Sequence, residues 1–289
     1  MRIDASILAS MIILTALVCG VGVAFGQEDN ESKASTDAEQ EIEMPFVLLL
    51  IQGDIWGNLS DMDNSVAAAS NNLSASGLEG DEARAVLKGL INSNPGMTEA
   101  ITLSKDGKIL ASESNDNKGA EGEDISSQEA VAQLLRTMNP VMSEPFQTVE
   151  GFEAIALMYP VFSESGEFLG GISVTFKPDE VLRALVAPRL NMTGYDSGYS
   201  FWIMQTDGQI VYDQDASQIG KMLFEDPLYK PYKSLLYLGR VMASERAGHG
   251  SYDFQVTESN NAVVSKDVYW TTVGLHGREW RLALTRIKI

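Results

Sequence analysis

SKDGKILAS, residues 104–112, and QTDGQIVYD, residues 205–213, decide how this chain is read. Each sets an Asp-Gly pair, Asp106-Gly107 and Asp207-Gly208, between two short apolar runs. Asp-Gly in that setting is a strong short-range signal for a β-hairpin, because the tight turn needs positive φ, which Gly adopts at no steric cost. The same hairpin built again about a hundred residues later marks a module used twice.

Working outward, the first copy reads as strand 100–103, turn, and return strand 108–111. A polar loop then leads to a helix over 126–138, with Ser126 or Ser127 as its cap and Glu129 behind it. Three further strands follow at 146–149, 154–162 and 169–176, with Gly166 in the last turn. The second copy keeps this order. Strands 199–205 and 209–212 flank Asp207-Gly208, and a connector rich in Tyr, Pro and Lys leads to a helix over 232–244. Strands 251–256, 263–272 and 280–287 close the module, with Gly277 in its final turn. A short helix over 178–188 joins the two copies.

Upstream, Val47, Ile51, Ile55, Leu59, Met62, Val66, Ala69 and Leu73 recur at steps of four and three. That is one apolar stripe on a long helix of about 45–75. Its four-residue steps drift from a strict heptad, so the stripe is expected to pack against the modules that follow. A second, shorter helix spans 81–90, stopped by Asn94-Pro95-Gly96. Residues 27–43 are dense in Asp and Glu with Lys33 as the one cation, a composition that reads as an extended acidic linker. Residues 7–25 carry no charge and follow Arg2; they read as an export signal cleaved before Gln27, or as an uncleaved N-terminal anchor. The division is therefore 1–26 signal or anchor, 27–43 linker, 44–95 helices, 96–188 first module and 189–289 second module.

Composition narrows the function. The formal net charge of −19 argues against nucleic acid, since phosphate contacts need Lys and Arg. Cys19 is the only cysteine and lies in the signal segment, so the exported chain is expected to lack disulfides, thiolate metal sites and a cysteine nucleophile. His249 and His276 sit beside glycines with no partner at metal spacing and read as exposed turn residues. There is no Gly-x-Ser-x-Gly elbow. The acidic runs, Asp61 with Asp63 and Glu121–Asp124, read as solvated faces and loops. The expectation is a protein without catalytic residues, metal or cofactor.

A ligand site on a sheet needs apolar walls and a few fixed polar groups. In the first module Phe146, Met158 and Tyr159 lie on strands, and Arg136 lies on the helix above them, where a guanidinium could hold a carboxylate. In the second module Trp202, Tyr212, Asp213, Tyr229 and Tyr252 gather around the hairpin and connector. Core packing competes with ligand contact for every one of these aromatics. Trp270 and Trp280 are assigned to the core.

A long helix followed by two PAS-like modules resembles the double Cache fold, the extracytoplasmic ligand-binding part of many prokaryotic chemoreceptors and sensor kinases. The likeness rests on Asn94-Pro95, the paired Asp-Gly hairpins, GYSFWIMQTDGQIVYD, Ile219-Gly220-Lys221 and GREWRLALTRI, and covers about 44–289. It implies an α+β fold in which two antiparallel sheets of five strands follow the long helix. It implies a small-molecule ligand, and a membrane receptor or sensor kinase as partner. It also implies that the first, membrane-distal module holds the ligand, through Arg136, Phe146, Met158 and Tyr159, with the second-module set as the alternative. Amino-acid sensors of this family resemble one another in an Arg-x-Trp-Tyr pattern, which is not found between Arg136 and Tyr159. The sequence runs no second apolar span after the last strand, so an exported, stand-alone sensor without its own transmembrane output is expected. A structural or adhesive surface protein built on the same fold is the alternative.

Overall fold

The computed structural model describes residues 28–115, 120–148, 152–192, 198–256 and 262–288. The expected signal or anchor at 1–26 lies outside the described residues. The chain divides into two compact units at Glu41/Ile42, and the second of them carries both sheets.

Helix α1 spans Glu28–Ser76. It begins well before the expected start near Pro45, so residues 28–43 are helical and not an extended linker. Glu, Ala, Gln and Lys are good helix formers, and lengthening an existing helix costs far less than nucleating one. Pro45 sits inside the helix, where it removes one backbone donor. Every residue of the apolar stripe from Val47 to Leu73 is buried. Helix α2, Gly80–Ser93, follows.

The first sheet contains β1 (Met97–Ser104), β2 (Ile109–Ser114), β3 (Val141–Met142), β4 (Phe146–Gln147), β5 (Glu153–Phe162) and β6 (Phe168–Phe176). Its order is β2-β1-β6-β5-β3, with β4 also on β5, and its pairs are antiparallel. It has one strand more than the five expected, since β3 is two residues long and leaves no periodic signal. Helix α3 is Glu129–Thr137. Gln128, not Ser126 or Ser127, stands at its cap, and no side chain caps it; Ser126 N–H instead donates to Asp124 Oδ1 at 2.9 Å.

Helix α4, Pro178–Met192, leads to the second sheet. This contains β7 (Tyr199–Gln205), β8 (Ile210–Asp213), β9 (Gly248–Val256), β10 (Ala262–Leu275) and β11 (Arg278–Ile287), ordered β8-β7-β11-β10-β9. Helix α5, Lys233–Ser244, packs on its outer face. The repeat extends to individual bonds. Ser104 N–H donates to Lys108 O at 2.8 Å and Gln205 N–H to Gln209 O at 2.9 Å. Gly107 and Gly208 both have positive φ, +81° and +99°. Beyond each turn the chain crosses back to form a single bridge, Lys108 to Asp124 in one copy and Gln209 to Met222 in the other.

Helix α1 runs along both modules. Gln52 Nε2 donates to Thr272 O of the second module at 2.8 Å, and Arg189 of α4 pairs with Asp54. Farther along, Ser70 and Ser74 donate to Pro160 O and Phe162 O of the first module. One apolar core joins the α1 stripe to Leu157, Ile172 and Val174 of one sheet and to Phe201, Ile203, Leu282 and Leu284 of the other.

Candidate ligand-binding site

The described residues line a half-open cavity of about 590 Å³ in the second module. Its floor follows from the period-two geometry of strands. Asp213 of β8 lies opposite Trp202 of β7, and Ser200 of β7 lies opposite Thr285 of β11. Lys266 of β10 lies between Ile287 of β11 and Tyr252 of β9. All five strands thus send side chains to one face. The roof comes from the connector and helices: Gln214, Asp215, Gln218, Leu223 and Tyr229, with Leu190 of α4 and Leu235 of α5.

The connector is held by its own bonds. Asp215 caps a single 3-10 turn at Ala216–Gln218 through Ser217 N–H at 3.1 Å. Gln214 Oε1 accepts from Phe201 N–H at 2.8 Å, and Tyr229 hydroxyl donates to Gln218 Oε1 at 3.2 Å. Tyr229 packs on Phe254, and Phe254 in turn meets the edge of Tyr232 at 4.7 Å between ring centres.

Two half-buried charges share the cavity without pairing. Burial pushes the Asp213 carboxyl up to about 7; the Asp215 N–H that donates to it at 2.8 Å and the Lys266 ammonium act in the opposite direction. Burial lowers the Lys266 ammonium, against the pull of Asp213. Among the described residues Lys266 has no salt bridge. The two lie on β8 and β10, three strand spacings apart, and Lys266 stands four residues along β10 from Trp270, the residue level with Asp213, so their backbones are separated by roughly 20 Å. Burial also raises the hydroxyls of Tyr229 and Tyr252. The Trp202 indole N–H faces the Tyr252 hydroxyl without an aligned hydrogen bond and is left with no partner among the described residues. A buried donor without a partner costs free energy, which a ligand acceptor would recover.

Of the residues singled out in the second module, the cavity gathers Trp202, Asp213, Tyr229 and Tyr252. Tyr212 points to the other face of the sheet, into the core that α1 covers. The four first-module residues are not brought together. Arg136 is exposed in the last turn of α3. Met158 is buried, and Phe146 packs, between α3 and the sheet. Tyr159, the next residue on β5, faces α1 and donates to Asp63 Oδ2 at 2.9 Å. Consecutive strand residues point to opposite faces, so Met158 and Tyr159 do not share one pocket. Leu134 of α3 packs closely on the sheet at one point: a Cβ at Gly171 would lie 2.6 Å from Leu134 Cδ2.

Sequence reading missed Lys266 and Thr285. A signal for Lys266 exists, since it lies in phase with the buried Val268 and Trp270 on an alternating strand. A lysine in the buried phase is a site candidate. Sequence reading also misplaced His276 and Asp63. Neither is a solvated surface group: their side chains are 18% and 16% exposed and His276 Nε2 lies 2.6 Å from Asp63 Oδ1. The turn that carries His276 docks on α1, which no local pattern records. His249 stacks on Tyr269 within the sheet and is not at a loop tip.

Residues 57–178 match the family model described as HK/GC/Chemotaxis protein-like, sensor domain. The chain is 32% identical to an extracellular ligand binding receptor from Desulfohalobium retbaense DSM5692, with a TM-score of 0.70 over 85% of this chain. It spans 40% of the length of that receptor chain. With the two modules on their long helix, these matches give the chain the fold of a double Cache sensor domain.

Two more distant structures share the fold. One is the ligand binding domain of an amino acid chemoreceptor of Pseudomonas aeruginosa PAO1 in complex with GABA, at 19% identity, TM-score 0.61, and 86% and 99% of the two chains. The other is the periplasmic sensory domain of a Campylobacter jejuni chemoreceptor, at 14% identity, TM-score 0.63, and 87% and 96% of the two chains. No curated protein matches in sequence. Among the described residues no helix is long and apolar enough to cross a membrane.

Proposed function

We propose that this chain is an extracytoplasmic sensor that captures a small zwitterionic molecule in the second-module cavity and presents its state to a membrane receptor or sensor kinase. The observation that carries this reading is the pair Asp213 and Lys266, two half-buried opposite charges on one sheet face that form no salt bridge with each other. An ammonium group of the ligand satisfies Asp213. Its acidic group satisfies Lys266 and the unpartnered Trp202 N–H. Trp202, Tyr229, Tyr252 and Phe254 supply the apolar walls. Buried charges are tolerated when paired, so a ligand carrying both signs removes both penalties together. The chemoreceptor domain solved with GABA gives the reading a parallel in the same fold.

Thermal-shift screening of the full chain against amino acids, betaines, simple amines and simple carboxylates tests it. Zwitterions are expected to raise the melting temperature more than either half alone. With the best of them, Asp213→Asn and Lys266→Met should each weaken binding roughly ten- to a hundredfold by calorimetry, the worth of a charge-assisted hydrogen bond. If both bind as wild type while Arg136→Ala or Tyr159→Ala does not, the first module holds the ligand. If no compound of any class shifts the melting temperature, the fold serves as a structural or adhesive surface module instead.

A further inference from the structure

The hairpin formed by β10 and β11 reaches from the cavity to a joint where all three parts of the fold meet. Its open end carries Lys266, Thr285 and Ile287 into the cavity. Its closed end is the two-residue turn His276-Gly277, with φ of +49° and +86°. Nine residues of strand separate Lys266 from Leu275, or about 30 Å. At the closed end, Asp63 of α1 takes both neighbours at once. One of its oxygens lies 2.6 Å from His276 Nε2, and the other accepts from the Tyr159 hydroxyl of β5 at 2.9 Å. The Tyr159 and His276 rings meet edge to face at 5.6 Å. Beside them Arg278 binds Glu144 at 2.5 Å and donates to Met142 O at 3.3 Å, both on the first module.

The turn itself does not need an imidazole. Positive φ at both central positions is a type I′ turn, for which Asn-Gly is among the most favoured pairs. A histidine in this backbone conformation is therefore held for its side chain. That side chain makes one contact that spans the fold, from the second module to α1 and, through Asp63, to the first module.

We propose that the β10–β11 hairpin is a lever coupling the second-module cavity to α1 and the first module, with Asp63–His276 as its latch. Coupling of this kind is reciprocal: what releases the latch must also be felt at the cavity. The lever stands apart from any choice of ligand, so a failed ligand screen leaves it untouched.

The test uses the full chain labelled with 5-fluorotryptophan, with the Trp202 signal identified by Trp202→Phe. Asp63→Asn and His276→Asn break the latch, and the second keeps the turn's backbone preference. Each is expected to speed amide exchange at residues 275–278 at least tenfold and to shift the Trp202 fluorine signal. The double variant should add little to either single one. Tyr159→Phe removes one hydroxyl from Asp63 and should give the same pattern at smaller amplitude; it serves if an Asn variant fails to fold. A loosened turn with an unmoved Trp202 signal overturns the lever. Unchanged exchange at the turn overturns the latch.

Discussion

Asp213→Asn will flatten the dependence of stability on pH across the acid-to-neutral range and leave the protein more stable than wild type on the alkaline side. The Asp213 carboxyl titrates near 7 in the folded chain, against 3.8 without burial. Between those values the folded chain holds a proton that the unfolded chain has released. Unfolding therefore releases a proton, and the stability present below the lower value is lost as pH rises through the higher one. The full difference sets a ceiling of about 4 kcal/mol. Solvent that still reaches the residue lowers the expected gain of the Asn variant at about pH 8 to roughly 2 kcal/mol, or about 4–8 °C in melting temperature. The substitution also removes the anion that favours the Lys266 ammonium. Lys266→Met added to Asp213→Asn should then stabilise the chain further. Melting curves at several pH values for wild type, single and double variants decide the matter, and parallel curves for wild type and Asp213→Asn would refute the account.

Gly170→Ala will be among the most damaging single substitutions in the first module. Gly170 lies in β6 between Ser104 of β1 and Val161 of β5. Its φ is +144°, a conformation that side chains rarely adopt, and a Cβ there would stand 2.0 Å from Leu103 O and 2.9 Å from Leu78 Cδ1. The nearer atom is backbone of β1, held between β2 and β6 in the sheet. Overpacking of this kind costs at least about 3 kcal/mol, so the melting temperature should fall by roughly 6–12 °C. Gly166→Ala is the control. It also has positive φ, +81°, but nothing lies within 4 Å, and it should cost about 1 kcal/mol. Equal losses at the two sites would mean that backbone conformation, not the clash, sets the cost.

The α1 stripe and the order of strands and helices in both modules were legible because each rests on a repeating pattern. Val47, Ile51, Ile55 and their successors keep helical spacing, and the two Asp-Gly turns announce themselves. What was illegible depends on distances between elements. Whether a module holds a cavity turns on how closely its helix lies on its sheet. In the first module Leu134 presses onto Gly171. In the second, the connector from Gln214 to Tyr232 stands between sheet and solvent and spans the gap as a roof. The sequence shows a helix over the sheet in both modules, and no local pattern records how closely either one lies on it. Tyr212 and Asp213 illustrate the same limit. They are adjacent and both suited to a ligand, yet strand pleating gives one to the core and the other to the cavity.

The path of α1 has a consequence for how the chain acquires its structure. The middle of the helix binds the module encoded last: Gln52 meets Thr272 across 220 residues of sequence. Its later turns bind the module encoded first. As the polypeptide grows from the ribosome, the first sheet can close on Ser70 and Ser74 early. Val47, Ile51 and Ile55 must wait, oily and uncovered, until β11 has been made. Contacts so far apart in sequence form slowly, and the exposed half of the stripe is a sticky surface in the meantime. Nascent chains halted between the two modules should therefore depend on holding factors far more than the finished protein does.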